Sequence, residues 1–353
     1  MLLFQVVADY TRLCAVRAAG PAGWERASGP QYPGAITASG KREVLMAAGK
    51  IDAHEADRDV GLVRRLLAAQ FPQWAAQPIK RVPSTGTDHA LYRLGDDQVV
   101  RLPLAWGAAK GLDKELMWLP RLAPLLPVAI PVVLGTGLPA EGYLLPWAVY
   151  RWLDGENPRI DHIADPDVLA TDLAVFIAAL QRVDLADGPV AYRGGPLATQ
   201  DAQTRAALAD LGKVVDTEAA TAAWDAALRV PEWSGPPVWV HADLMPGNVL
   251  ARQGRLTAVL DFSTVGVGDP ACDLIVGWFL LPAPAREAFR AAVHVDDATW
   301  ARGRGWALSL ALGQVAYFRD TNPVIVADAR QVIRAVLADH LPPLQRSNSS
   351  QTP

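Results

Sequence analysis

The sequence predicts an α+β protein of two lobes, a small antiparallel-sheet N-lobe and a larger, mainly helical C-lobe. Three observations carry this. Two short strand-like runs, 90–94 and 98–102, flank Gly95-Asp96-Asp97, a hairpin signature. The chain after Leu274 is dominated by helical spacing. Its 353 residues, 51% apolar and 20% charged, suffice for two hydrophobic cores in a globular chain.

Taken in order, residues 1–50 have scattered Gly and Pro and no sustained period. They read as a poorly structured N-terminal extension, with a short accessory strand or helix as the alternative. The N-lobe is expected over 51–148. There, 57–70 place Val60, Val63 and Leu67 on one helical face and stop ahead of Pro72. Ser84, Thr85, Gly86 and Thr87 precede the hairpin. They form either a phosphate-covering loop, with backbone N–H groups and hydroxyls turned to an anion, or an ordinary turn. Leu112, Leu116 and Leu119 give 110–126 helical spacing, and 127–133 and 142–152 read as further strands. The C-lobe is expected over 149–340, followed by a polar, flexible tail at 341–353. Asp296 or Asp297 is placed to cap one of its late helices.

Composition removes several function classes. A net charge of −4 argues against nucleic acid as a main partner. Cys14 and Cys272 are the only cysteines, too few for a disulfide framework or a zinc cluster, so a cytoplasmic setting is expected. No run reaches the roughly 18 uninterrupted apolar residues of a membrane span, so no membrane partner is expected. The first residues, broken by Asp9 and without an early basic region, do not read as a signal peptide.

The chemistry concentrates in 238–274. His241, Asp243 and Asn248 follow the apolar run Val238-Trp239-Val240, and Asp261 comes thirteen residues after Asn248, behind a second apolar run. Between them Arg252-Gln253-Gly254-Arg255 reads as a turn, so the acidic groups sit at strand ends. Phosphoryl transfer asks for this set. An Asp takes the proton of the attacking hydroxyl, and an Asn and a second Asp hold magnesium through oxygen. Each residue alone would read as a turn cap; the joint pattern reads as catalytic Asp243 with Asn248 and Asp261 as metal ligands. His241 reads as a support for the loop rather than a base.

This stretch resembles the aminoglycoside phosphotransferase (APH) family, small-molecule kinases with a two-lobed protein-kinase-like fold. Gly268-Asp269-Pro270-Ala271-Cys272-Asp273-Leu274 matches that family's Gly-Asp-Pro-x-x-Asp-Leu tail, and the resemblance runs from about 57 to 336. Two positions depart: Ala242 stands where Gly is common, and Ser263 replaces the Gly of Asp-Phe-Gly. The resemblance implies ATP or GTP as donor with Mg2+ as cofactor. It implies phosphate-gripping Arg101, as in the Arg-x-Pro run of macrolide phosphotransferases, paired with Glu115. It also implies an interlobe linker at 146–150, with Trp147 and Val149 at the nucleotide base. Trp147 and Tyr150 also read as plain core aromatics.

The family inserts helices around the acceptor where this chain carries an acidic block. Residues 151–216 hold ten Asp and Glu156 against six basic residues, with Asp201 and Asp216 as candidates for an acceptor wall. Carboxylates around a cleft would draw a cationic acceptor. The expected activity is γ-phosphate transfer to a hydroxyl of an aminoglycoside-like or macrolide small molecule. The alternatives are a kinase of choline, homoserine or a sugar, or a non-catalytic nucleotide-binding module.

Overall fold

The computed structural model describes residues 59–83 and 88–340. The expectations for 1–50, for Ser84, Thr85, Gly86 and Thr87, and for 341–353 lie outside them. Helix α1 (Val60–Gln70) starts at Asp59, whose carboxylate accepts the Leu62 N–H, and buries Leu62, Val63, Leu66 and Leu67. Five strands follow: β1 (Ile79–Val82), β2 (His89–Leu94), β3 (Gln98–Pro103), β4 (Val133–Gly137) and β5 (Trp147–Arg151). They form one antiparallel sheet in the order β1-β2-β3-β5-β4. Strand β1 has no counterpart in the sequence reading, because it buries only Ile79 and lies at the edge.

Alternation along β2 and β3 sends Tyr92, Leu94, Val100 and Leu102 into a core shared with α1, and Arg101 to the opposite face. That face meets helix α2 (Gly111–Leu122), which buries Leu112, Glu115, Trp118, Leu119 and Leu122. The strands expected at 127–133 and 142–152 stand instead at Val133–Gly137 and Trp147–Arg151. Pro127 and Pro131 cannot donate to a ladder. The stretch they bound runs beside the larger lobe, where Ala129 pairs with Ala258. Trp147 and Val149 belong to the small core, whereas Ala148 and Tyr150 belong to the large one. The expected break at 148/149 therefore falls inside β5. The chain leaves the sheet after Arg151: the Trp152 N–H donates to Asp97 O at 2.7 Å, and Glu156 and Ala251 exchange two bonds of 2.9 Å.

The larger lobe is helical around two small β-pairs. Helix α3 (Pro166–Gln181) is capped by Asp165, and α4 (Asp201–Leu211) and α5 (Thr217–Leu228) follow, α5 capped by Asp216. Strand β6 (Val238–Val240) pairs with β9 (Gly266–Gly268), and β7 (Val249–Arg252) pairs with β8 (Arg255–Val259). The β7–β8 turn takes positive φ at Gln253 (52°) and Gly254 (78°), a hairpin geometry that glycine relieves. The segment 275–281 is buried core rather than a membrane element. Helices α6 (Ala283–Val293), α7 (Asp297–Phe318) and α8 (Pro323–His340) complete the lobe, and Asp296 caps α7 through the Thr299 N–H. Among the described residues no helix is long and apolar enough to cross a membrane.

Candidate active site

The loop after β6 is held from beneath. Asp273 is fully buried and accepts the N–H groups of His241 and Ala242 at 2.8 and 2.7 Å. Burial pushes its carboxyl up, against the pull of those donors. The His241 ring is buried too, with Nε2 2.9 Å from Leu260 O and its edge on Phe262, which is a packing role. Asn157 clamps the loop from the other side, its amide N–H donating to the carbonyls of Pro246, Gly247 and Val249 at 3.1, 3.0 and 2.9 Å.

The clamped loop presents Asp243. Its Oδ2 accepts from Asn248 Nδ2 at 3.0 Å, and its Oδ1 accepts from Arg193 Nη1 at 2.6 Å. The Leu260 N–H donates to Asn248 O at 2.8 Å, so Asn248 lies one residue across from Asp261 at the same end of the β7–β8 hairpin. Asp261 takes a left-handed backbone, φ 57°, and its Oδ1 accepts from Ser263 Oγ at 2.6 Å. Its Oδ2 accepts from Arg101 Nη2 at 2.7 Å. Asp243, Asn248 and Asp261 are thus brought together by adjacent loops.

Arg101 spends its fork on three partners. Nη1 stands 3.1 and 3.2 Å from the two oxygens of Glu115, and Nη2 reaches Asp261 and, at 3.2 Å, His89 Nδ1. Glu115 also accepts from the Tyr150 hydroxyl at 2.5 Å and from the Phe262 N–H at 3.1 Å. Burial disfavours the charge on Arg101, but Glu115 and Asp261 outweigh it and hold the guanidinium protonated. The same balance governs Asp261. Burial raises its carboxyl, and Arg101 with the Ser263 hydroxyl outweighs this and holds it well below the usual carboxylate range. His89 is driven down to about 3 by burial and then by Arg101, so it is neutral and accepts at Nδ1.

An ionised carboxylate and an amide oxygen at one hairpin end suit a magnesium ion that takes its other ligands from phosphate and water. Among the described residues no group of three or more His, Cys, Asp or Glu is gathered to hold a metal.

Trp147 borders the cleft that His89, Arg101, Glu115 and Ser263 line, whereas Val149 does not. Val149 pairs with Val100 on one side and Gly135 on the other, so its backbone is consumed by the sheet. The Trp147 indole is buried, with its N–H on Leu138 O at 3.2 Å and its ring edge on Phe71. An interior strand has no free edge for a base, and the free interlobe backbone follows Arg151. Five carboxylates of the acidic block, both acceptor-wall candidates among them, are engaged in structure. Asp165 and Asp216 cap helices, Asp201 binds the Trp224 indole and Arg205, Asp172 binds Arg255, and Asp210 binds Arg319. Sequence reasoning missed Arg193, Asn157 and His89. The first two are 50 and about 90 residues from their partners, and no local pattern marks any of them.

A family model described as the phosphotransferase enzyme family matches residues 79–306. The chain belongs to this family. It is a phosphotransferase with an alcohol group as acceptor, a small-molecule kinase of two-lobed protein-kinase-like fold. Solved structures of the same fold include the GDP and kanamycin complex of APH(2")-IIia, with TM-score 0.63 and 19% identity over 79% of this chain and 99% of that one. The macrolide 2'-phosphotransferase MphH from Brachybacterium faecium aligns with TM-score 0.53 and 24% identity, over 78% and 98%. A macrolide 2'-phosphotransferase type I aligns with TM-score 0.56 and 18% identity, over 78% and 96%. No curated protein matches the chain by sequence.

Proposed function

We propose that this phosphotransferase moves the γ-phosphoryl group of magnesium-bound ATP or GTP to a hydroxyl of an antibiotic-sized acceptor. One observation carries the reading: Asp243, Asn248 and Asp261 converge on adjacent loops, with Arg101 tied to both Asp261 and Glu115. The acceptor hydroxyl gives its proton to Asp243, and its oxygen attacks the γ-phosphorus in line. Arg101, aimed by Glu115 and His89, grips the donor phosphates. Asn248 and Asp261 would hold magnesium, which would neutralise charge on the donor phosphates. The backbone after Arg151, rather than that of Val149 within the sheet, meets the base, with Trp147 bordering the cleft. The departures from the family pattern fit activity: Ser263 adds a hydrogen bond to Asp261, and Ala242 keeps its backbone bonds to Asp273 and Arg193.

Among relatives of this fold, one is crystallised with GDP and kanamycin and others are macrolide 2'-phosphotransferases. The macrolide arm has the better support. Of the carboxylates expected to draw a polycation, Asp172, Asp201 and Asp210 are engaged in ion pairs and Asp216 in a helix cap. Beside Asp243 stand Arg193 and Tyr192, the latter 74% exposed, and Met245 contacts Gln314, one turn from the exposed Tyr317. Such a face suits an acceptor that is partly apolar, and the reaction belongs in the cytoplasm, where nucleotide is abundant.

The test is diphosphate release with magnesium, ATP or GTP, and a panel of macrolides, aminoglycosides, choline and homoserine. Macrolide-dependent release is expected, and release with choline or homoserine alone would replace this reading with the metabolic one. Asp243→Ala is expected to lower turnover by about 10³-fold or more while leaving nucleotide affinity unchanged, and near-normal turnover would remove Asp243 as the base.

A further inference from the structure

Arg193, like Asn157 and His89, is an element of this site that no motif announces. It arrives on the loop between α3 and α4, 50 residues before its partner, and places Nη1 2.6 Å from Asp243 Oδ1 and 2.9 Å from Ala242 O. Its guanidinium also lies 5.0 Å from the Tyr192 ring centroid. Among the described residues Nε and Nη2 have no hydrogen-bond partner, so most of the fork is unspent.

The charge balance gives this edge a purpose. Arg101 is already shared between Glu115 and Asp261, and Asp243 adds a third carboxylate. These protein groups sum to two formal charges negative, which the magnesium that Asn248 and Asp261 would hold only brings to neutral before the triphosphate's own charge is met, and the loop between Asp243 and Asn248 is Leu-Met-Pro-Gly, with no further cation to offer. Phosphoryl transfer spreads negative charge over the equatorial oxygens of the moving group, and a cation there stabilises the transition state.

We propose that Arg193 is a catalytic residue that grips the transferring phosphoryl group from the acceptor side, an arginine finger supplied by this chain itself. The proposal rests on the reading of Asp243 as the proton acceptor. Nη1 holds Oδ1 by a short charge-assisted bond, which leaves Oδ2, bonded only to the neutral Asn248 amide, as the more basic oxygen. The hydroxyl proton passes to Oδ2, and a lone pair of the hydroxyl oxygen forms the new O–P bond. The bond from the γ-phosphorus to the bridging oxygen breaks, leaving its electron pair on the nucleoside diphosphate. Nε and Nη2 donate to the equatorial oxygens as this happens.

The test is titration calorimetry in magnesium buffer with ADP and GDP, each alone and with aluminium fluoride, which mimics the planar phosphoryl group. It uses the full chain and its Arg193→Ala and Arg193→Gln variants. The parent is expected to bind its preferred diphosphate at least about tenfold tighter with the fluoride, and Arg193→Ala to keep the diphosphate affinity and lose that gain. Arg193→Gln retains a donor for Asp243 and Ala242 without the charge, so a purely structural role predicts that it keeps the gain. Retention in either folded variant overturns the proposal, as does a parent that binds diphosphate but gains nothing from fluoride. A parent that binds neither diphosphate overturns the underlying kinase reading instead.

Discussion

Ala242 sits at φ 64°, in the left-handed region that L-residues avoid, fully buried and between two anchors. Its N–H donates to Asp273 and its carbonyl accepts from Arg193. A single alanine tolerates this at about 1–2 kcal/mol. Ala242→Gly is expected to stay within about 1 kcal/mol of the parent in urea unfolding, because relief of strain offsets a lost methyl contact and a freer unfolded chain. Ala242→Val, β-branched in the same backbone and with no room, is expected to cost more than about 2 kcal/mol. His89 sets a pH dependence. Its folded value of about 3 lies below the ordinary 6.5, so the unfolded chain takes up the proton first as pH falls. The stability it contributes is complete above pH 6.5 and is lost from there down to about 3. His89→Gln is expected to flatten the fall in urea midpoint between pH 7 and 5, and an unchanged slope would remove His89 as the cause.

Helix α2 is bolted to the loop after β8 at three points. Glu115 accepts the Phe262 N–H, Lys114 Nζ donates to Val265 O at 3.0 Å, and Gly111 lies flat against Ser263. A Cβ on Gly111 would stand 2.4 Å from Ser263 Cβ, so the glycine missing from the Asp-Phe-Gly position has reappeared across the contact, on the helix. Gly111→Ala is expected to destabilise by about 2 kcal/mol despite its better helix propensity, and Gly111→Ala with Ser263→Gly to recover most of it. Simple additivity in that double-mutant cycle would show that the two positions are not coupled. The elements themselves were mostly legible. Helices α1, α7 and α8 and the β2–β3 and β7–β8 hairpins follow from spacing and turn residues, because those signals are local. Strand β1 and the position of β4 were not, because one buries a single residue and the other is displaced by prolines that only the neighbouring lobe explains.

At the scale of the molecule, the two lobes meet where β5 divides its side chains between two cores. The large core is tied together by a buried ion pair, Arg302 on α7 with Asp269 after β9, their side chains 4% and 5% exposed and 2.8 Å apart. Arg302→Met is expected to cost about 3–5 kcal/mol by stranding Asp269, measured by thermal or urea unfolding, with Asp269→Asn in the same background recovering part of it. Such a pair explains why the Gly-Asp-Pro tail is structural here, while the same carboxylate type at Asp243 faces the cleft.

The sequence by itself determined the two-lobed class and the trio Asp243, Asn248 and Asp261, together with the likeness to the phosphotransferase family. These depend on spacing within one hairpin unit, where strand periodicity and turn chemistry leave little choice. Arg101 and Glu115 came from the family likeness rather than from a local period, and the structure pairs their side chains at 3.1 Å. Only the tertiary structure decided that Arg193 joins Asp243, that Val149 is sealed in the sheet, and that Asp165, Asp172, Asp201, Asp210 and Asp216 serve caps and ion pairs. Those outcomes depend on which distant surfaces close on each other, and the burial and pairing that follow from closure leave no period in the chain.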